Sequence, residues 1–79
     1  MAFIYTKQAV KNIKNLDGTI KNRIKEGIEK IPFGDIKKLQ GYNNLYRLRI
    51  GSYRVIYEVV ADNIIIDAVL PRGEAYKRL

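Results

Sequence analysis

The chain has 79 residues, with 15 Lys plus Arg against 8 Asp plus Glu, giving a formal net charge of +7. That length accommodates one domain, 1–79, and excludes two-domain enzymes and doubly wound dinucleotide-binding folds, because a chain this short buries a single core. With neither Cys nor His, disulfide frameworks, thiolate zinc sites and histidine-based dyads or triads are excluded, so no metal and no cofactor is expected.

In chain order, Phe3 to Tyr5 reads as a short strand. Thr6 is placed to cap a helix whose apolar face is Ala9, Val10, Ile13 and Leu16. Asp17-Gly18-Thr19 breaks that helix, and Ile20, Ile24, Ile28 and Ile31 recur at helical spacing to form a second one, ending at Pro32. The lysines at 7, 11, 14, 21, 25 and 30 fall largely on the opposite faces, as a solvated surface would place them. Phe33 to Asn44 reads as a connection carrying Lys37, Lys38 and the turn formers Gly41, Asn43 and Asn44.

Three strands are predicted after it. Leu45 to Ile50 and Tyr53 to Val60 flank Gly51-Ser52, a pair suited to a two-residue hairpin turn. Asp62-Asn63 is the expected second turn, leading into Ile64 to Leu70 before Pro71 stops the strand. The fold class is therefore α+β, with a short strand and a helical hairpin on one face of an antiparallel sheet, in the order β-α-α-β-β-β. The apolar run from Ile64 to Leu70 contains Asp67 and is far shorter than the roughly 20 residues of a membrane helix, so no membrane partner is expected. The segment Met1 to Tyr5 lacks the charged region of a signal peptide, and a cytoplasmic location is expected.

The hairpin turn sets a register. Ile50 should face Tyr53, Arg49 face Arg54, Leu48 face Val55, Arg47 face Ile56 and Tyr46 face Tyr57, and opposed residues share a face. Tyr46, Leu48, Ile50, Tyr53, Val55, Tyr57 and Val59 then form the face covered by the helices, leaving Arg47, Arg49 and Arg54 on the other. The second turn should place Val60 against Ile65, Ile56 against Val69, Glu58 against Asp67 and Arg54 against Pro71, with Arg72 just beyond. Opposed like charges cost about 0.2–1 kcal/mol, so Arg49 with Arg54 points to a missing anion, and the planar guanidinium fork suits phosphate. Glu58 with Asp67 is a like pair without such an explanation. Arg47 reaches Glu58 diagonally, as a surface ion pair or as part of the anion face. Tyr76, four residues past Arg72, either joins that site or packs on the sheet edge.

These residues carry a resemblance. Lys38-Leu39-Gln40-Gly41, the run from Leu45 to Tyr57 and the tail Arg72-Gly73-Glu74-Ala75-Tyr76-Lys77 resemble the signature of RelE/ParE-type toxins of type II toxin–antitoxin systems, in particular the RelE branch. The resemblance implies a ribosome-dependent mRNA endonuclease, metal-independent, that inhibits translation. It assigns catalytic roles to Arg49, Arg54, Arg72 and Tyr76 and RNA contacts to Arg47, Lys37, Lys38 and Lys77. Its partners would be a RelB-like antitoxin, the ribosome and mRNA. Two positions depart from the pattern: Pro71 stands where many relatives have His, and the chain ends at Leu79 without a full C-terminal helix. The ParE branch, which inhibits DNA gyrase without cleaving RNA, is the competing implication, and a plain basic binding module is a third reading.

Overall fold

The computed structural model describes residues 2–71. Strand β1 (Ala2–Tyr5) leads into helices α1 (Lys7–Lys14) and α2 (Gly18–Glu29), followed by β2 (Asp35–Lys38), β3 (Leu45–Ile50), β4 (Tyr53–Val60) and β5 (Asn63–Pro71). They build one five-stranded sheet in the order β1-β5-β4-β3-β2, antiparallel except for the parallel pair β1 and β5. The helices lie on one face, as expected, and none is long and apolar enough to cross a membrane.

Both helix starts follow from a capping side chain that satisfies an otherwise orphaned N–H. The Thr6 hydroxyl accepts from the Ala9 N–H at 3.1 Å, and Asp17 Oδ1 accepts from the Ile20 N–H at 3.0 Å. Thr6 also ties α1 to the sheet, donating from its hydroxyl to the Asp67 carbonyl at 3.0 Å. The reason lies in strand lengths: β1 covers β5 only as far as Ile66, which leaves the rest of that edge without a neighbouring strand among the described residues. Asn12 Oδ1 accepts the Val69 N–H there at 3.1 Å, so polar residues of α1 stand in for a missing strand.

Ala9, Ile24, Ile28, Ile31, Leu48, Val55, Tyr57, Ile64, Ile66 and Val69 are buried between helices and sheet. The isoleucine stripe of α2 thus meets the alternating apolar face of β3, β4 and β5, and burial of each large aliphatic side chain contributes about 1.5–3 kcal/mol. Gly27 permits the close approach of α2, since a Cβ there would stand 2.5 Å from Ile50 Cδ1. A smaller apolar cluster of Leu39, Ile56 and Leu70 sits apart from this core, with Leu45 and Ala68 packed against it.

The β3–β4 register is the one that the turn predicts, from Ile50 opposite Tyr53 to Tyr46 opposite Tyr57, with Gly51 at φ +58°. Four features differ from expectation. The 33–44 connection contains β2, paired with β3; its single apolar residue, Ile36, faces Leu48, too little alternation to declare a strand. The second turn is Ala61-Asp62, not Asp62-Asn63, with Ala61 in the left-handed region at φ +54°, so Val60 opposes Asn63. An irregularity between Ile56 and Tyr57 then makes Asp67 an extra residue on β5, and Ile56 opposes Ala68 while Arg54 opposes Leu70. Finally, Val10, placed on the core face by its spacing, is 52% exposed, because α1 turns mainly Ala9 and Ile13 toward the sheet.

Candidate functional site

Two rows of residues cross the face of the sheet away from the helices. One runs Asp35, Arg49, Arg54, Leu70 over β2, β3, β4 and β5, and the next runs Lys37, Arg47, Ile56, Ala68. Four cations therefore stand with one carboxylate at the end of the sheet nearest the Gly51-Ser52 turn.

The four are not equivalent. Arg47 has a side-chain exposure of only 11%, and its Nη1 donates to the Asp35 carboxylate at 3.4 Å and to the Asp35 carbonyl at 3.3 Å. Its ion pair thus reaches outward to β2, whereas sequence spacing alone had pointed to Glu58 as its acidic neighbour. Arg49 is exposed and forms no ion pair among the described residues. Arg54 is half-buried, its Nε and Nη1 shielded from solvent, and Leu70 of the small apolar cluster lies directly opposite it. Low-dielectric surroundings strengthen the field of a guanidinium toward an approaching anion. Lys37 and Lys38 are exposed on β2, the edge strand.

Asp35 was not foreseen as part of this face. It opposes Arg49 directly and binds Arg47, so the Arg49–Arg54 repulsion is partly offset; only the existence of β2 could have revealed it. Arg72, Tyr76 and Lys77 lie outside the described residues.

A second electrostatic feature lies further along the same strands. Glu58 opposes Ile65, not Asp67, yet the extra residue in β5 brings the Asp67 carboxyl into hydrogen-bonding contact with Glu58. Burial, the hydrogen bond that the protonated Asp67 donates to Glu58 and the charge of Glu58 together push Asp67 up to about 7. On the helix side, Tyr46 and Tyr57 stack with centroids 5.4 Å apart, and burial, with the neighbouring Tyr46, raises Tyr57 to about 12. Those two rings serve the core and offer no platform for a base.

Between the helices is an apolar groove of about 390 Å³ lined by Tyr5, Val10 and Ile13 and bordered by Lys14, Lys21 and Lys25. It explains the exposure of Val10.

Comparison with known proteins places this geometry. Residues 3–76 match the family described as ParE toxin of type II toxin–antitoxin system, parDE. The chain is 40% identical to Toxin RelE3 of Methanocaldococcus jannaschii, with 96% of each chain covered. The chain belongs to the RelE/ParE family of type II toxins. It is also 38% identical to Putative toxin RelE1 of the same organism, over 90% of this chain and 89% of that one. Among solved structures, the toxin fold superposes with a TM-score of 0.81 on a RelB–RelE antitoxin–toxin complex from Methanococcus jannaschii, at 38% identity, covering 96% of this chain and 98% of that one. An archaeal RelE–RelB complex from Pyrococcus horikoshii gives 0.74 at 34% identity, covering 94% and 97%. The isolated Escherichia coli RelE toxin, at 19% identity and 0.73, covering 96% and 88%, shares the fold.

Proposed function

We propose that this RelE-family toxin is a ribosome-dependent mRNA endonuclease, acting in the cytoplasm as a single domain and halting translation by cutting the message. The observation that carries the reading is the Arg49–Arg54 pair: two like charges directly opposed on the uncovered face, one exposed and one partly shielded. A phosphate between them turns the repulsion into two charge-assisted contacts. Arg47 and Lys37 extend the positive face along neighbouring strands, whereas Lys38, opposite Tyr46, belongs to the helix-side face; Arg72 and Lys77 would add to the positive face from the tail.

In the proposed reaction the 2′-oxygen of the ribose attacks the adjacent phosphorus while the bond to the 5′-oxygen breaks. The 2′-hydroxyl proton passes to a base and the leaving 5′-oxygen gains a proton, giving a 2′,3′-cyclic phosphate and a 5′-hydroxyl. Negative charge builds on the phosphoryl oxygens, and arginines held in place by a paired strand meet it without reorganisation. No metal is required, since arginine charge performs the neutralisation. Tyr76, which lies outside the described residues, is proposed to carry a proton in this reaction. The ribosome would supply the in-line geometry that so small a protein cannot impose on a flexible strand.

The partner is proposed to be a RelB-like antitoxin. Solved toxin–antitoxin complexes of similar chains support it, as does complementarity: the lysine-bordered apolar groove on the helices suits an acidic amphipathic segment, and such association should weaken as salt rises.

Induced expression with parallel measurement of translation and of the DNA-damage response tests the reading. Arrest of translation with cut messages is expected, and Tyr76→Phe should slow cleavage by roughly 10² to 10⁴. The family description as a ParE toxin favours a second reading, gyrase inhibition; damage signalling with intact messages would establish that one instead. Loss of cleavage on chelation, at magnesium levels that keep ribosomes intact, would overturn the metal-free mechanism.

A further inference from the structure

The Gly51-Ser52 turn has a cation on its helix side as well as on its open side. Arg23 belongs to α2, one residue before the core isoleucine Ile24, so its stem leaves the apolar stripe and runs toward the tip of the β3–β4 hairpin. Its Nη2 lies 3.5 Å, and its Cζ 4.0 Å, from the point that a Cβ would occupy on Gly51. A cleft of about 90 Å³ opens there, with Ile20 and Tyr53 as apolar walls and Arg23, Gly51 and Ser52 at its polar end.

The placement is not that of an arginine seeking a carboxylate. Glu26 stands three residues along the same helix, at the spacing of an i,i+3 pair, yet the ion pair among the described residues joins Arg47 to Asp35. Arg23 instead lies over the turn, where neither Gly51 nor Ser52 donates a turn hydrogen bond among the described residues. Consecutive backbone N–H groups of a turn can form a concave donor site for anions, and Ser52 adds a hydroxyl. Gly51, at φ +58° and without a Cβ, keeps the approach open.

We propose that this cleft is a second phosphate subsite, in which the Arg23 guanidinium and the Gly51-Ser52 turn hold a phosphodiester flanking the one at Arg49 and Arg54. It rests on the reading of RNA as the substrate. At a strand rise of about 3.3 Å per residue, Arg49 is roughly 7 Å back along β3 from Gly51, on the opposite face. A single RNA strand passing over the hairpin tip therefore meets cations on both sides of the turn. The subsite positions the strand and takes no part in bond breaking.

The test is binding of a short single-stranded oligonucleotide with 2′-O-methyl riboses, which lacks the attacking hydroxyl, to the full-length chain by fluorescence anisotropy over a salt series. Arg23→Gln should weaken binding several-fold at low salt and flatten the plot of log affinity against log salt by about 0.7, the value of one phosphate contact on a single strand. Arg23→Lys should recover part of the loss, and Lys11→Gln, on the exposed surface of α1, should leave the slope unchanged. The amide resonances of Gly51 and Ser52 should shift on titration in the parent and stay in place in Arg23→Gln. An Arg23→Gln curve that matches Lys11→Gln, or unmoved turn amides in the parent, overturns the subsite. Loss in Arg49→Gln with none in Arg23→Gln preserves the functional reading and removes the subsite. Loss in Arg23→Gln with none in Arg49→Gln contradicts the Arg49–Arg54 phosphate site and the flanking arrangement with it, and no binding by the parent removes both.

Discussion

The helix-covered face of the sheet and its uncovered face are made by the same strands, residue alternating with residue, yet they obey different rules. On the covered face Leu48, Val55, Tyr57 and Ile66 meet Ile24 and Ile28, all of them buried. On the uncovered face the same strands carry Arg47, Arg49, Arg54 and Glu58 beside the small cluster around Leu39, Ile56 and Leu70. The period-two alternation of a strand thus separates the residues that stabilise the fold from those that hold charge ready for a partner. Substitutions on the two faces should fail in different ways.

The largest effect on stability is expected on the covered face. Ile28 is fully buried between α2 and the sheet, and Ile28→Ala should cost about 2–5 kcal/mol, read as a lower denaturation midpoint with an unchanged slope. A loss below about 1 kcal/mol would mean that α2 packs more loosely than the burial of its stripe implies. A pH-dependent effect comes next, on the uncovered face. Because Asp67 is raised from 3.8 to about 7, the folded chain holds a proton that the unfolded chain releases. Stability should therefore fall as pH rises from about 4 to 7 and level off above that. Asp67→Asn should flatten this dependence in thermal melts and raise the midpoint at pH 8; an equally steep profile would assign the titration to another group. The smallest change belongs to neither face. Ala61 holds φ +54° in the β4–β5 turn, and Ala61→Gly should remove left-handed strain at some cost in chain entropy, stabilising by at most about 1 kcal/mol.

The parts of this contrast that sequence could reveal were those with short-range signals. Gly51-Ser52 between two β-branched and aromatic runs set the β3–β4 register, and with it the Arg49–Arg54 pair and the split between the faces. Thr6 and the isoleucines of α2 marked the helices through capping and period. Other features depended on tertiary partners. Strand β2 exists because β3 offers it an edge, not because Asp35-Ile36-Lys37-Lys38 has a strand pattern, and without it the Asp35–Arg47 ion pair was invisible. The extra residue at Asp67 lies in a run of Ile, Ala, Val and Leu with no turn former, so the sequence pattern implies a β4–β5 turn one residue late and no irregularity. Val10 matched the core spacing of α1 because periodicity reports a face but not whether anything covers it.

The separation of stability from phosphate binding is tested most directly at Arg49, the exposed member of the opposed pair, flanked by Arg54 on one side and Asp35 on the other. Removing its charge relieves one repulsion and forfeits one attraction, so Arg49→Ala should melt within about 0.5 kcal/mol of the parent. Measured on the same preparation, ribosome-dependent cleavage of a defined message should fall by about 10² to 10³, as expected for loss of one preorganised donor to the transition state. Substantial unfolding at unchanged specific cleavage per folded molecule would contradict the account and make Arg49 a structural residue of the sheet.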